Sequence, residues 1–324
     1  MYTVAEIQNI IDIEIKKLRF DKDPKELYIP IEYTMNIGGK RIRPILTLLA
    51  CNLFSDNIEK AIKPAIGIEM FHNFTLLHDD IMDNAPLRRN KPTVHTKWNN
   101  NVAILSGDAM MIKSFEYFYD CDPEILKEIL YIFNKNALQV CEGQQYDMNF
   151  EKQDKVLIDD YIKMIELKTS VLIAGGLKIG ALIGGADISD AELLYDFGKY
   201  LGIAFQLQDD YLDVYGDVKI FGKKIGGDIV SNKKTFLLIT AVNLAKGQIY
   251  NDLIELMRNN SVTNEIKIHE ITQIYNRLNI KQLVLKKINE NFDIACQCID
   301  NVSIDAIKKK TIKDFVLHLK FREK

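Results

Sequence analysis

The chain has 324 residues, of which 47% are apolar and 27% are charged, and its formal net charge is -3. This composition is ordinary for a globular protein. A chain without a basic excess cannot neutralise a nucleic-acid backbone broadly, so we expect no nucleic-acid partner. Five scattered cysteines, an odd number, indicate reduced thiols and a cytoplasmic protein rather than a disulfide framework.

The first eighteen residues, MYTVAEIQNIIDIEIKKL, combine helical apolar spacing with interrupting acids. This pattern predicts an amphipathic helix rather than a signal peptide. Helical spacing continues almost throughout the chain, and alternating strand patterns are rare, so we predict an all-α protein. Breaks are expected at residues 55–57, 120–123, 187–190, 216–227 and 259–264. No repeat or linker divides the chain, which favours a single helical-bundle domain over residues 1–324, with a central cavity.

The first motif is GGKRIRP, from Gly38 to Pro44. Two glycines free the backbone before a helix, and Lys40 and Arg43 lie three positions apart. Arginine offers a planar fork that matches phosphate oxygens, and lysine offers a point charge. The motif therefore indicates a phosphate site, although a basic helix start on the surface would give the same pattern.

The second motif is DDIMD, followed closely by two arginines. Asp79 and Asp83 share a helix face, with Asp80 beside them. Two carboxylates ~4 Å apart at an effective dielectric of ~20 repel by ~4 kcal/mol, so a cation is expected nearby. Oxygen ligands suit Mg²⁺, and Arg88 and Arg89 suit phosphate. The alternative is a solvated acidic face, but the flanking residues are apolar.

The third motif repeats the second after 130 residues. Ser189 and Glu192 have the spacing of a capping box and predict the start of a long helix. That helix would carry Asp209, Asp210 and Asp213. The apolar run of residues 171–186 before it falls below the ~20 residues that a membrane span needs, so we predict no transmembrane segment.

The segments GGKRIRP, HDDIMD followed by LRR, and FQLQDDYLD resemble the signature motifs of the trans-isoprenyl diphosphate synthases, the polyprenyl synthetase family. The similarity extends from about Gly38 to about Lys234 and keeps the order of the motifs. It implies the isoprenoid synthase fold, a homodimer and about three Mg²⁺ ions in each active site. It also implies a short-chain prenyltransferase that condenses isopentenyl diphosphate with an allylic diphosphate.

The resemblance also implies roles for individual residues. The catalytic aspartates would be the members of the two acidic motifs, with Asp79, Asp83 and Asp209 as the metal ligands. The isopentenyl diphosphate pocket would be formed by four residues, Lys40, Arg43, His72 and Arg89. The allylic diphosphate would be bound by a second set, Arg88, Lys168, Thr169, Gln206, Lys233 and either Lys223 or Lys224. Lys168 and Thr169 would also take part in catalysis, and the Glu142–Asp147 segment would line the same cavity.

Product length should depend on side chains that precede the first acidic motif. The helix stripe under Asp79 continues through Thr75 to Phe71, whereas the family resemblance points to Phe74, five residues before the motif. Each isoprene unit is comparable to one helical turn of ~5.4 Å, so a bulky side chain here acts as a floor. Both arguments predict a short product, geranylgeranyl diphosphate first and farnesyl diphosphate second.

Two alternatives share the fold. A class I terpene cyclase would not need GGKRIRP or a second DDxxD, and a non-catalytic partner subunit normally loses the metal-binding aspartates. Both motifs and all six aspartates are present. The sequence therefore favours the synthase.

Overall fold

The computed structural model describes residues 1–216, 225–259 and 261–320, and helices form nearly all of the regular structure in these ranges. The all-α prediction is confirmed. Two short strands, Leu87–Arg88 (β1) and Lys91–Pro92 (β2), form an antiparallel pair that the sequence did not predict.

The helices follow in chain order, and we label them α1 to α16. The first seven are α1 Val4–Lys17, α2 Lys25–Asn36, α3 Ile42–Phe54, α4 Glu59–Met82, α5 Val94–Lys97, α6 Asn100–Glu116 and α7 Pro123–Glu151. The next three are α8 Ile158–Ile165, α9 Val171–Gly184 and α10 Ile188–Tyr215, with a π-turn at Glu166–Ser170 between α8 and α9. The last six are α11 Gly227–Val230, α12 Phe236–Leu244, α13 Gly247–Arg258, α14 Asn264–Arg277, α15 Ile280–Asn301 and α16 Ala306–Lys320.

The chain groups into two compact units. The first consists of Met1–Ala137, Leu172–Tyr195 and Asp300–Phe315. The second consists of Leu138–Val171, Asp196–Ile299 and Val316–Lys324. The single domain over residues 1–324 stays a prediction.

The N-terminal helix α1 is amphipathic, as the sequence predicted. Ile7, Ile11 and Ile15 are spaced four apart and are all buried. Thr3 and Glu6 form a capping box that satisfies backbone N–H groups at the start of the helix. The TVAE segment carried this signal, and the sequence reading missed it.

The capping box predicted at Ser189 and Glu192 is wrong. The helix α10 begins at Ile188, and the side chain of Asp187 accepts a hydrogen bond from the Asp190 N–H at 2.7 Å. Glu192 instead accepts a hydrogen bond from Lys178 at 2.6 Å. Asp187 caps as well as serine does, so spacing alone could not decide which residue begins the helix.

One helical run, Ile158–Gly184, is long and apolar enough to cross a membrane by length and composition. It is longer than the sequence predicted, because α8 and the π-turn continue the apolar stretch of α9 without interruption. Within this run, 72% of the most apolar window is buried, which is typical of a core helix.

The helix α4 is the central element of the first unit. It contains Pro64 and a run of buried residues that covers most of its circumference, including Ile68, Met70, Phe71 and Phe74. Helices buried on all sides occur in the cores of large proteins. The acidic motif therefore stands at the end of a helix whose middle part is buried around most of its circumference.

Candidate active site

The first acidic motif occupies the C-terminal end of α4. Asp79 and Asp80 lie in the last turn, and Asp83 is the C-cap residue, whose N–H donates to the Asp79 carbonyl at 2.9 Å. A helix C-terminus carries about half a negative charge from the aligned peptide dipoles. Three carboxylates added at that end make this a place where a bound cation is favoured.

One of the three carboxylates is held by an arginine. Asp80 is 5% exposed, accepts hydrogen bonds from Arg88 Nε at 2.8 and 2.9 Å, and forms an ion pair with Arg88 Nη2 at 2.7 Å. Burial raises the pKa of Asp80, and the Arg88 guanidinium opposes this shift. Arg88 Nη2 also lies 3.9 Å from Asp79 Oδ2. The acidic motif and the predicted allylic-diphosphate arginine are therefore in direct contact.

The GGKRIRP motif joins a left-handed turn to the start of α3. Gly38 and Gly39 have φ of 99° and 136°, which other residues rarely adopt. A Cβ at Gly39 would lie 2.6 Å from the guanidinium carbon of Arg89. The second glycine therefore also provides space for Arg89, which belongs to a motif fifty residues later. Lys40, directly after the glycines, is exposed.

Arg43 and His72 meet inside the first unit. Arg43 Nη1 donates to His72 Nε2 at 3.1 Å. Burial lowers the pKa of His72 well below its usual range, and Arg43, Arg89, Arg88 and Arg41 lower it further. His72 is therefore neutral, with Nε2 as the acceptor. Two basic residues that the sequence assigned to one pocket, Arg43 and Arg89, therefore lie within electrostatic reach of this one imidazole.

A buried ion pair that the sequence reading missed supports this basic group. Arg41 Nη1 donates to Glu69 Oε1 at 2.7 Å, and the two side chains are 4% and 3% exposed. Asn73 Nδ2 donates to the same oxygen at 3.0 Å. An acid inside the apolar stretch IGIEMF was the available signal, since a charge in a buried helix needs a partner.

The residues predicted to set product length lie one below another along α4. Phe74 contacts the ring of His78, with centroids 4.8 Å apart, and Phe71 at 5.3 Å. Phe71 in turn contacts Phe133 of α7 at 5.4 Å. Thr75 is half-buried, and its hydroxyl donates to the His72 carbonyl. Because the Thr75 side chain is small, the bulky groups among these three residues are the rings of Phe71 and Phe74.

The second acidic motif lies near the C-terminal end of α10, in the second unit. Asp210 is 4% exposed and accepts hydrogen bonds from Tyr161 and from Gln206 Nε2 at 3.1 Å. Burial raises the pKa of Asp210 to about 7, and the charge of Asp228 adds to the shift. Asp213 accepts hydrogen bonds from the Asp228 N–H at 2.9 Å and the Gly226 N–H at 2.6 Å, which fixes the start of α11.

Asp228 is a further acid of this group that the sequence reading did not single out. Burial raises the pKa of Asp228 to about 6, Lys233 opposes the shift, and Asp213, Asp147 and Asp209 reinforce it. Several carboxylates therefore lie within electrostatic reach of one another. Such crowding is costly unless cations are present.

Lys168 and Thr169 lie on the π-turn, where the helix is locally widened. Lys168 Nζ donates to Asp147 Oδ2 at 2.6 Å, and Thr169 Oγ1 donates to Gln206 Oε1 at 3.1 Å. Burial tends to raise the pKa of Asp147, but Lys233 and Lys168 outweigh it and the pKa is lowered. Single π-turns inside α-helices are frequent at functional sites. The predicted Lys-Thr pair, Gln206 and Lys233 are thus grouped around the acids of the second unit.

Lys223 and Lys224 lie outside the described residues. So does most of the glycine-rich segment of residues 216–227, which the sequence predicts to act as a lid over the diphosphates.

The carboxylates of the two acidic motifs suit a divalent metal ion, but they do not form a complete coordination shell by themselves. Over residues 1–216, 225–259 and 261–320, no three or more His, Cys, Asp or Glu side chains converge as a ready ligand group. Mg²⁺ usually takes one or two carboxylates and completes its shell with water and substrate phosphates. Asp79 and Asp83 at the negative end of α4 suit such an ion, and so, separately, do Asp209, Asp213 and Asp228 of the second unit.

Comparison with known proteins identifies the chain. Residues 24–276 match the polyprenyl synthetase family. The chain belongs to the polyprenyl synthetase family. The predicted family, fold and enzyme class, a prenyltransferase, are confirmed, and the cyclase and partner-subunit alternatives are not favoured.

Relatives and solved structures of this family agree over most of the chain. Geranylgeranyl diphosphate synthase of Methanosarcina mazei is 40% identical over 74% of this chain and 76% of its own. The short chain isoprenyl diphosphate synthase of Methanocaldococcus jannaschii is 40% identical over 82% and 80%. A crystal structure of a geranylgeranyl pyrophosphate synthase superposes with a TM-score of 0.95 at 40% identity, covering 100% of both chains.

Proposed function

We propose that this short-chain trans-prenyltransferase condenses isopentenyl diphosphate with allylic diphosphates such as dimethylallyl, geranyl and farnesyl diphosphate. The main product is geranylgeranyl diphosphate, and farnesyl diphosphate is the second candidate. The observation that carries this proposal is the direct contact between Asp80 and Arg88 at the end of α4, beside the hydrogen-bonded pair of Arg43 and the neutral His72. One compact unit thus combines carboxylates for metal with cations for phosphate.

The basic group forms the pocket for isopentenyl diphosphate. Lys40, Arg43 and Arg89 supply positive charge, and the fork of each arginine can hold two phosphate oxygens. His72 is neutral, because burial and the surrounding arginines lower its pKa. It keeps Arg43 in place by accepting a hydrogen bond and adds no charge of its own.

The acidic motifs and their basic neighbours act on the allylic diphosphate. Asp79, Asp83 and Asp209 are the proposed Mg²⁺ ligands, about three ions in each active site. When bound, Mg²⁺ neutralises and orients the diphosphate leaving group. The remaining proposed diphosphate ligands are Arg88, Lys168, Thr169, Gln206, Lys233 and one of Lys223 and Lys224.

The chain has no need of a protein nucleophile. Cations around the leaving diphosphate stabilise the charge that develops as its C–O bond breaks, which is usually the largest catalytic contribution. The double bond of isopentenyl diphosphate attacks the allylic carbon, and a proton is then lost to the departed diphosphate. Apolar residues of α4 exclude water, which would trap the allylic cation as an alcohol.

The product is limited by the aromatic rings of α4. Phe74 lies five residues before Asp79, which corresponds to ~7.5 Å along the helix, and Phe71 lies ~12 Å away. Phe74 is 7% exposed and packed against a second ring. A ring so supported can end a growing chain without moving aside.

A second copy of the chain is the proposed partner of an apolar surface on the first unit. Leu105 and Ile112, seven residues apart on one face of α6, are 60% and 62% exposed, and Ile104 is also exposed. Tyr119 and Tyr131 are exposed beyond the end of α6 and on α7. A set of large exposed apolar side chains is typical of protein–protein interfaces. We therefore propose a homodimer, acting in the cytoplasm without a transmembrane segment.

The test is a condensation assay with a defined starter. Purified protein, Mg²⁺, isopentenyl diphosphate and dimethylallyl diphosphate should give a prenyl diphosphate of twenty carbons, and chelation of Mg²⁺ should stop the reaction. Release of a hydrocarbon would indicate cyclisation instead. The proposed function would be refuted if none of the three allylic starters gave turnover.

A further inference from the structure

A buried acid, Glu69, lies beside the basic motif of residues 38–44. Glu69 is 2% exposed and receives hydrogen bonds from Arg41 and Asn73 at 2.7 and 3.0 Å. Arg41 is 5% exposed, and its second terminal nitrogen donates to the Met35 carbonyl. A buried charge persists only where a counter-charge and hydrogen bonds satisfy it. Arg41 and Glu69 each have an opposite charge and further hydrogen bonds.

Arg41 is fixed in its backbone as well as its side chain. Its φ is 49°, in the left-handed region that non-glycine residues seldom occupy, and it stands directly before the first residue of α3. Lys40 precedes it and Arg43 follows two positions later. The directions in which these two side chains leave the backbone therefore depend on how Arg41 is held.

Arg89 is coupled to the same pair. Its guanidinium packs against Gly39, two residues before Arg41. Partial desolvation lowers the pKa of Arg89, the charge of Arg41 lowers it further, and Glu69 opposes both. Glu69 is thus a negative charge set among mutually repelling cations, and it allows Arg41 and Arg89 to lie close together.

We propose that Glu69 and Arg41 are a positioning pair for the isopentenyl diphosphate pocket. The inference rests on the proposed function of Lys40, Arg43 and Arg89, and it assigns the pair no contact with substrate. Without Glu69, Arg41 is a buried cation without its counter-ion and must leave its place. The turn then relaxes, and the side chains of Lys40 and Arg43 are no longer held in position for the diphosphate.

Two variants test the pair. Glu69→Gln removes the charge and keeps the shape. The double variant Glu69→Leu/Arg41→Met replaces the pair by apolar side chains of similar volume, an exchange that often preserves folding. Steady-state kinetics with each substrate varied in turn, and thermal melting, would be measured for both. We expect KM for isopentenyl diphosphate to rise by about tenfold or more in both, with kcat and the allylic KM within about threefold of the parent.

A control ion pair, with an exposed acid in place of a buried one, is available in the same unit. Glu192→Gln removes an ion pair with Lys178 that lies far along the chain from the motif, and it should leave both KM values unchanged. A double variant that melts like the parent and keeps the parental KM for isopentenyl diphosphate would overturn the inference. An equal rise in both KM values, or loss of folding in both variants, would also overturn it, because the pair would then serve the stability of the whole protein. A fall in the KM for isopentenyl diphosphate would overturn it as well, because Glu69 would then act only by repelling the diphosphate.

The parent protein in the same assay separates this inference from the function on which it rests. If the parent does not condense the two substrates, the proposed function fails and the inference fails with it. If the parent is active and the variants match it, only the positioning role is refuted.

Discussion

Replacing Phe74 by alanine should lengthen the product by about one isoprene unit, whereas Phe71→Ala alone should leave it unchanged. Phe74 is nearer to the acidic motif, and its ring contacts both His78 and Phe71. Removing it exposes the next ring, three residues or ~4.5 Å further along the helix, close to the length of one unit. With Phe74 in place, the space created by Phe71→Ala lies beyond the Phe74 ring, and the growing prenyl chain cannot reach it.

The double variant Phe71→Ala/Phe74→Ala should allow about one unit more. The next ring is Phe133, which contacts Phe71 with centroids 5.4 Å apart. Phe133 is itself packed against Phe115 at 5.0 Å and Phe118 at 4.6 Å, so the series of floors should end there. Each Phe→Ala change is also expected to cost ~3–5 kcal/mol of unfolding free energy, because both rings are buried.

The assay is product chain length by chromatography after dephosphorylation, with urea unfolding of the same proteins. Phe292→Ala is the control, since Phe292 is 2% exposed but belongs to the second unit. It should lower stability without changing the product. Longer products from Phe71→Ala but not from Phe74→Ala would reverse the order of the floors, and unchanged products from all three variants would place the floor on another helix.

The remaining predictions concern the acids, the two pockets and the dimer. Asp79→Ala should lower kcat by at least about 100-fold while the metal-free melting temperature stays equal or rises, because one repelling charge is removed; near-normal turnover would refute the metal assignment. Lys40→Ala should mainly raise KM for isopentenyl diphosphate and Arg88→Ala that for the allylic substrate, as substrate-varied kinetics would reveal; equal effects on both substrates would contradict separate pockets. The contribution of Asp210 to the stability of the metal-free protein should fall as the pH rises from about 4 to about 7, since burial raises its pKa from 3.8 to about 7 and the folded state then binds more protons. The lowered pKa of His72 acts in the opposite direction, so the parent is compared with Asp210→Asn, and identical pH profiles of melting temperature would contradict the prediction. Ile112→Glu should convert a dimer to a monomer by light scattering, and a parent protein that is already monomeric would refute the interface.

The helical architecture could be predicted because the spacing of apolar residues within each segment indicates a helix. The burial of Ile7, Ile11 and Ile15 follows directly from their spacing. The breaks at residues 55–57, 120–123 and 259–264 also separate helices in the structure. Choices between nearby caps could not be predicted, since Asp187 and Ser189 are both good N-cap residues and packing selects one.

The site could be predicted where motifs carry it and not where contacts between distant segments complete it. Asp79 and Arg88 belong to one short stretch with recognisable chemistry. The partner of Arg41 lies 28 residues away, and that of Asp210, Tyr161, lies 49 residues away. Nothing in a local pattern pairs such residues, because tertiary packing brings them together.

The π-turn at Glu166–Ser170 has a consequence for how this protein can tolerate change. It amounts to one residue more than an α-helix needs, and backbones lie close on both sides: a Cβ at Gly143 would lie 2.3 Å from the Lys168 nitrogen, and one at Gly202 would lie 2.6 Å from the Ser170 Cα. Deleting one residue here would restore regular α-helix and leave the flanking helices in about the same rotation, so the change would be confined to the stretch that carries Lys168 and Thr169. Deleting one residue within the regular turns of α8 would instead rotate every side chain before the deletion by about 100° relative to those after it. The buried face that carries Tyr161 would then turn away from Asp210.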